Sequence, residues 1–490
     1  MTAVATADVA QRMPQAAASG SLSWLRDRGM GASILVSAIS TAFGVVLISA
    51  TGFIGAMLQA DPYIGGSGTL AAVIAMLAVL LVAVAVYVAS IVTANTFSTV
   101  VAGRTRRIAL LRLIGASARS QRAEIARQGL VVGIIGAFAG LVAGTALSAA
   151  GVAIMTQLLG LSGVEYNVVQ AVLLVPAAVV ALTTWAAAWA GSRRVLTVTP
   201  LQALGGSVEA THERIAKRSG RNVVALVLVI IGGGLLALGI AAGLVSIFGI
   251  LIAFVGGILS FTGIALGATL VMPPALRLVG RAFGRTAVAR LAAENALRYP
   301  ERSSRMAIGV VMGVTLVTMF AVALESVKAV LTKSAGGELP SEMTTIIDSF
   351  AAVMMAIVAV SAVIAAVGLV NLLTLGIVQR RRELGLLRAL GLSNGQVRRV
   401  VLLEAAHLTI TALVTGLVLG IVYGWAGAQS LLGSVPVDPD VPRIANFVAP
   451  AIPLWPVLTI VVGTIVLTLV AAVVPTRLAT RVAPVEALAE

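Results

Sequence analysis

Long apolar runs recur along the chain, separated by short polar stretches, and their lengths set the expected elements. Runs at about 32–58, 69–101, 129–157, 169–191, 306–327, 349–378, 400–428 and 453–475 each exceed or approach the roughly 20 residues that carry a helix across a bilayer. Residues 222–279 are long enough for two more crossings, flanked by Arg221 and Arg277, with a tight apolar turn near Ser246–Gly249. The pattern therefore predicts ten spanning helices. The run at 69–101 is longer than a perpendicular crossing needs, so that helix is expected to tilt or to extend past the hydrocarbon. Two mixed stretches, Ser21–Gly31 and 280–305, interleave arginines with apolar residues, as amphipathic helices lying on a membrane surface do.

Composition agrees with this class. The chain is 59% hydrophobic and 11% charged, with a mean hydropathy of +1.05. A water-soluble fold cannot bury that much apolar surface, so the fold class is an all-α polytopic membrane protein of about ten transmembrane helices. Cysteine is absent, which removes disulfides and thiolate metal sites. The formal net charge of +15 would suggest nucleic acid in a soluble protein. Here no basic stretch is interleaved with stacking aromatics, so nucleic acid is not an expected partner. The basic residues act instead as topology signals. With both termini cytoplasmic, 31 of the 34 Lys and Arg fall on the inner side, and only Lys328, Lys333 and Arg443 fall outside.

The polar stretches also repeat. Gly103–Ser117 aligns with Gln379–Ser393 when shifted by 276 positions: Arg104 meets Arg380, Arg106 meets Arg382, and Leu110, Leu111, Arg112 and Gly115 meet Leu386, Leu387, Arg388 and Gly391. The register extends outward, pairing Asn95 with Asn371, Gly140 with Gly416 and Gly144 with Gly420. Arg193–Leu204 and Arg477–Leu488 also resemble each other, so each unit closes alike. The expected organisation is a cytoplasmic tail and interfacial helix (1–31), a first four-helix repeat (32–204), a cytoplasmic linker with spans five and six (205–279), a second interfacial helix (280–305) and a second four-helix repeat (306–490). Internal duplication of this kind is common among membrane transporters.

The candidate chemistry is sparse. The chain has no Gly-rich phosphate loop with its Lys and Ser/Thr, so it carries no recognisable ATPase. The spans are nearly free of Asp, Glu, Lys and Arg, which argues against ion-coupled transport and favours energy supplied from outside. Asn95 and Asn371 are best read as hydrogen-bonding glue between helices, ahead of substrate contact. Gly140/Gly144 and Gly416/Gly420 have the small-xxx-small spacing of close helix packing. His407 falls within span nine, where a packed or hydrogen-bonded role outweighs a ligand role. The two basic segments exceed what a topology signal requires, because their leucines repeat along with their charges. Each also ends at a glycine after about two turns, as a helix C-terminus does.

The run Arg381-Arg-Glu-Leu-Gly-Leu-Leu-Arg-Ala-Leu-Gly391 resembles the signature of the FtsX-like permeases, the membrane subunits of ABC systems. That resemblance covers nearly the whole chain. It implies a non-enzymatic permease subunit in the bacterial plasma membrane, with ATP and Mg held by a separate nucleotide-binding subunit, expected as a dimer. It also implies contact with membrane lipid and leaves room for a second permease copy. In the family this segment is the coupling helix, so the role falls on Arg382, Glu383, Leu386, Leu387, Arg388 and Gly391, and on Leu110, Leu111, Arg112 and Gly115 in the first unit. There the pattern departs, with Arg107 in the place of Glu383. The outer loops are too short for the large extracellular domain many members carry. The implied activity is export or extraction of a lipophilic or amphipathic substrate. The alternative is a regulator that passes force to an extracellular cell-wall enzyme without transport.

Overall fold

A computed structural model describes residues 30–60, 117–158, 166–192, 219–282, 286–298, 300–334, 388–435 and 446–480, with scattered residues of 76–91 and a few single positions elsewhere. Among the described residues the chain is helical with no strand. The elements are α1 (Met30–Ala60), α2 (Ala118–Leu158), α3 (Leu174–Gly191), α4 (Ser219–Gly243), α5 (Gly249–Leu266), α6 (Ala268–Gly280), α7 (Ala287–Arg298), α8 (Pro300–Ser334), α9 (Asn394–Leu432) and α10 (Leu454–Thr480). Seven of them are long and apolar enough to cross a membrane, and α10 adds a shorter apolar stretch. Most of the expected spans 69–101 and 349–378, and the expected surface helix at 21–31, lie outside the described residues.

Two helix pairs are built on glycine. On α2, Gly136, Gly140 and Gly144 lie against α1, where an added Cβ would stand 2.5 Å from Ser37 Cβ, 2.7 Å from Thr41 Cβ and 2.9 Å from Ala42 Cα, respectively. On α9, Gly416, Gly420 and Gly424 do the same against α8, at 2.8 Å from Val314 Cβ, 2.5 Å from Thr318 Cβ and 2.6 Å from the Met319 carbonyl oxygen. Without side chains the backbones approach closely, so dispersion contacts and hydroxyl bonds replace the hydrophobic driving force that lipid cannot supply. Thr315 Oγ1, for example, donates to the Gly416 carbonyl at 3.3 Å. Gly140 faces Ala38 while Gly416 faces Val314, and Gly144 faces Ala42 while Gly420 faces Thr318. The shift of 276 that aligns the sequence thus carries one set of contacts onto the other.

The middle pair, α4 and α5, is a tight hairpin. Gly232, Gly239, Gly249, Gly256 and Gly263 all point at backbone of the facing helix. In the turn between the helices, 244–248, Leu244, Val245 and Phe248 are exposed. One boundary differs from the expectation. The sixth crossing does not run on to 279 but stops at Leu266, where Gly267 turns the chain (φ −86°, ψ 12°) into the separate helix α6. Pro273 and Pro274 sit within α6 and lack the N–H groups that a longer span would use. The apolar composition continues through the break, which is why hydropathy alone merges the two helices.

The main core lies where α1, α5, α6, α8 and α9 converge, around Phe43, Met272, Leu276, Met312 and Leu408. His407 is buried there, its Nε2–H donating to the Leu276 carbonyl at 2.8 Å and tying α9 to α6. Helix α7 lays Ala289, Ala292 and Ala296 into the protein, and Ser303 Oγ donates to the Ala296 carbonyl at 2.6 Å. Helix α4 stands at the rim, with Val227, Ile230, Ile231 and Leu238 exposed, as lipid-facing positions are.

Candidate functional site

Two regions stand out, one at the polar end of α9 and one between the helices. At the first, a short helical turn ends at Leu390. Leu390 N–H donates to the Leu386 carbonyl (2.9 Å) and Gly391 N–H to the Arg388 carbonyl (3.1 Å). Gly391 then adopts φ +100°, a left-handed conformation that costs glycine little and terminates helices. Two residues on, Ser393 caps α9. Its hydroxyl accepts from Gln396 N–H (3.2 Å) while the Gln396 side-chain oxygen accepts from Ser393 N–H (2.9 Å), a reciprocal capping box. The other long helix shares the first of these two bonds, with Ser117 Oγ accepting from Ser120 N–H at 3.1 Å. Ser117 and Ser393 are also related by the shift of 276.

Beyond these caps both helices outrun a bilayer. At 1.5 Å per residue, the 41 residues of α2 and 39 of α9 extend about 60 Å, about twice the roughly 30 Å hydrocarbon thickness, so several turns of each project past it. Those turns carry Arg119, Arg122 and Arg127 on α2 and Arg398 and Arg399 on α9. Glu124 pairs with Arg127 at 2.9 Å, and Arg122 lies 4.3 Å from the Trp189 ring centroid at the end of α3. Despite partial burial, Arg127 and Gln128 hold the Glu124 carboxyl below its ordinary pKa.

Leu386 and Leu390, four residues apart on the terminal turn, are 51% and 72% exposed. Immediately beyond the break, Val397 and Val400 are buried. Arg382, Glu383 and Leu387, all of Leu110, Leu111, Arg112 and Gly115, and both Asn95 and Asn371 lie outside the described residues.

The second region is a cavity of about 290 Å³ between the α4–α5 hairpin, α8, α9 and residues of 80–87. Among the described residues its walls are aliphatic and aromatic apart from hydroxyl groups. Tyr87 and Tyr423 flank Phe261 in edge-to-face contact, with centroids 6.4 and 6.2 Å apart. The Tyr87 and Thr262 hydroxyls share a hydrogen bond at 2.7 Å, and both reach the Ile258 carbonyl, at 3.3 and 2.7 Å. The Ser260 and Tyr423 hydroxyls are hydrogen-bonded at 2.8 Å, and Ser260 Oγ also reaches the Gly257 carbonyl at 3.1 Å. Reading the sequence missed this site. The one signal was the position of two of the five tyrosines within apolar spans. The capping box was also legible, as Ser393 followed three residues later by Gln396.

With this geometry in hand, comparison with known proteins assigns the chain. The FtsX-like permease C-terminal domain matches residues 79–200 and 355–484, just over half of the sequence. The chain belongs to the FtsX-like permease family. Among similar proteins, the uncharacterized ABC transporter permease YknZ of Bacillus subtilis is 31% identical over 100 residues, covering 20% of this chain and 23% of that protein. The uncharacterized ABC transporter permease MJ1507 of Methanocaldococcus jannaschii is 28% identical over 106 residues, 20% of this chain and 27% of that one. The ABC transporter permease YtrF of Bacillus subtilis is 32% identical over 60 residues, 12% and 14% respectively. The chain thus matches about a quarter or less of the length of each of these relatives.

Proposed function

We propose that this chain is the permease subunit of an ABC transporter, which couples ATP hydrolysis on a separate nucleotide-binding subunit to export or extraction of a lipophilic or amphipathic molecule. In this reading ATP and Mg belong to the partner, and an ATPase dimer docks under the two basic segments, 104–115 and 380–391. The spans form two four-helix repeats joined by the α4–α5 hairpin, both termini are cytoplasmic, and the protein resides in the plasma membrane. The observation that carries the proposal is the pair of exposed leucines, Leu386 and Leu390, ending at the Gly391 break and abutting the capped start of α9. A push on that turn reaches the core through Val397 and Val400. The matching caps and matching glycine contacts support a duplicated unit, each half offering one docking face.

The test is co-purification with the ATPase subunit. Leu386→Glu combined with Leu390→Glu should reduce recovery of the partner by well over tenfold, because apolar anchors at an interface centre commonly carry more than about 2 kcal/mol each. Both positions are exposed, so the permease itself should remain folded. Partner recovery equal to wild type would remove the docking role. In the intact complex, candidate amphiphiles should stimulate ATP hydrolysis, and an absence of stimulation across amphiphile classes would remove the transport role.

A further inference from the structure

We propose that the cavity between the α4–α5 hairpin, α8 and α9 seats one hydrocarbon chain of an outer-leaflet phospholipid, the amphiphile on which the permease acts. The assignment of the chain as substrate rests on the preceding reading, whereas the nature of the occupant follows from the cavity. No Asp, Glu, Lys, Arg or His is among its described lining residues. Its two tyrosine hydroxyls are each hydrogen-bonded within the protein, to Thr262 and Ser260. A polar ligand entering there would lose its bonds to water and meet, among the described lining side chains, only hydroxyls already hydrogen-bonded within the protein, whereas a hydrocarbon chain loses nothing.

Shape narrows the choice further. The lining on α8 runs from Met312 to Val327, about 22 Å at 1.5 Å per residue. That length accommodates one extended hydrocarbon chain. One end is sealed: Met312, Leu316 and Phe261 are 2%, 4% and 8% exposed. At the other end Leu324 and Val327 are only half-buried. With the N-terminus of α8 cytoplasmic, the sealed end lies deep in the membrane and the open end at the outer surface. A lipid headgroup would therefore remain outside while its tail points inward.

Two glycines show that the space is left unfilled by the protein. Gly256 and Gly424 are locked against backbone of α4 and α8, yet a Cβ on Gly257 or Gly427, both lining the cavity, would meet nothing within 4 Å. These positions allow the cavity to be filled without touching the helix packing.

The experiment uses the full chain in nanodiscs containing phosphatidylglycerol with a diazirine at the end of one acyl chain, mapped by mass spectrometry after photolysis. Label should concentrate on the 253–261 part of α5 and the 312–320 part of α8, above the level on lipid-facing Ile230 and Ile231. Gly257→Leu and Gly427→Leu should each cut that labelling by about tenfold, the loss expected when roughly two buried methylenes are displaced, with unchanged unfolding temperature. If one variant fails to fold, the other carries the test. Undiminished labelling in a folded variant, or label no denser in the cavity than on α4, would overturn the proposal. So would displacement of the label by a fused-ring amphiphile but not by unlabelled phosphatidylglycerol. Labelling needs no ATPase, so the two readings fail separately. Labelling in the cavity without lipid-stimulated ATP hydrolysis in the wild-type complex would sink the substrate role and leave the chain site standing. Stimulation without labelling would sink the site and leave the transporter standing.

Discussion

Replacing Gly140 with alanine adds a single methyl group to the seam between α1 and α2, and the structure sets what it meets. The new Cβ would run into the Ala38 carbonyl, 2.9 Å from its carbon, and stand 2.7 Å from Thr41 Cβ. Ordinary contact begins near 3.4 Å, so the helices must separate locally by at least 0.7 Å (3.4 less 2.7). Ala38 presents backbone, so no rotamer change relieves the clash. Gly136 and Gly144, one turn to either side, would lose their own contacts as the seam opens. Overpacking of this kind typically costs about 1–3 kcal/mol. Gly151 lies on the same helix with nothing within 4 Å of its added Cβ, so Gly151→Ala should be neutral or stabilising by up to ~1 kcal/mol through helix propensity alone. Thermal unfolding of both variants in the same detergent measures the contrast. Gly140→Ala should unfold several degrees below wild type, and Gly151→Ala at or above it. Coincident curves for the two variants would show that the seam is not held by close approach.

The remaining predictions concern docking, capping and topology. Glu383→Arg should lower ATPase recovery by well over tenfold, because breaking a desolvated charge pair costs about 2–5 kcal/mol; Arg107→Ala should cost less, and equal recovery by Glu383→Arg and wild type would reduce the segment to a solvated basic loop. Ser393→Ala removes one side of the capping box and should destabilise the start of α9 by about 1 kcal/mol, seen as faster hydrogen exchange at Gln396 and Val397; unchanged protection there would show that the cap carries no load. In intact cells, a membrane-impermeant reagent should modify a cysteine introduced by Ser341→Cys and spare one introduced by Ser219→Cys, and the reverse pattern would invert the topology.

Much of this protein was legible from the sequence because bilayer burial depends on local composition. A run of about 20 apolar residues crosses whatever its neighbours do, so α1 lies within two residues of the expected limits and α2 and α3 end at them, while α8 and α9 run on by four to seven residues at each end. The α4–α5 hairpin was legible in the same way, from its length and flanking arginines. Local chemistry also exposed the helix ends, since Gly391 and Ser393 act on their own backbone. The spacing of Gly140 with Gly144 and of Gly416 with Gly420 could be read, but not their partners.

Tertiary structure alone decided what lies opposite. Nothing in the sequence around Ala38 or Thr318 marks those residues as the surfaces that receive the glycines. The break at Gly267 was hidden because apolar residues run on from the end of α5 into the start of α6, and hydropathy records composition without direction. The cavity was hidden for the same reason. Met312, Phe261 and Tyr423 resemble any residues of a packed span, and only the placement of helices distant in sequence leaves space between them. Burial in lipid is a property of a segment, whereas a void is a property of how segments fail to fill the volume they enclose.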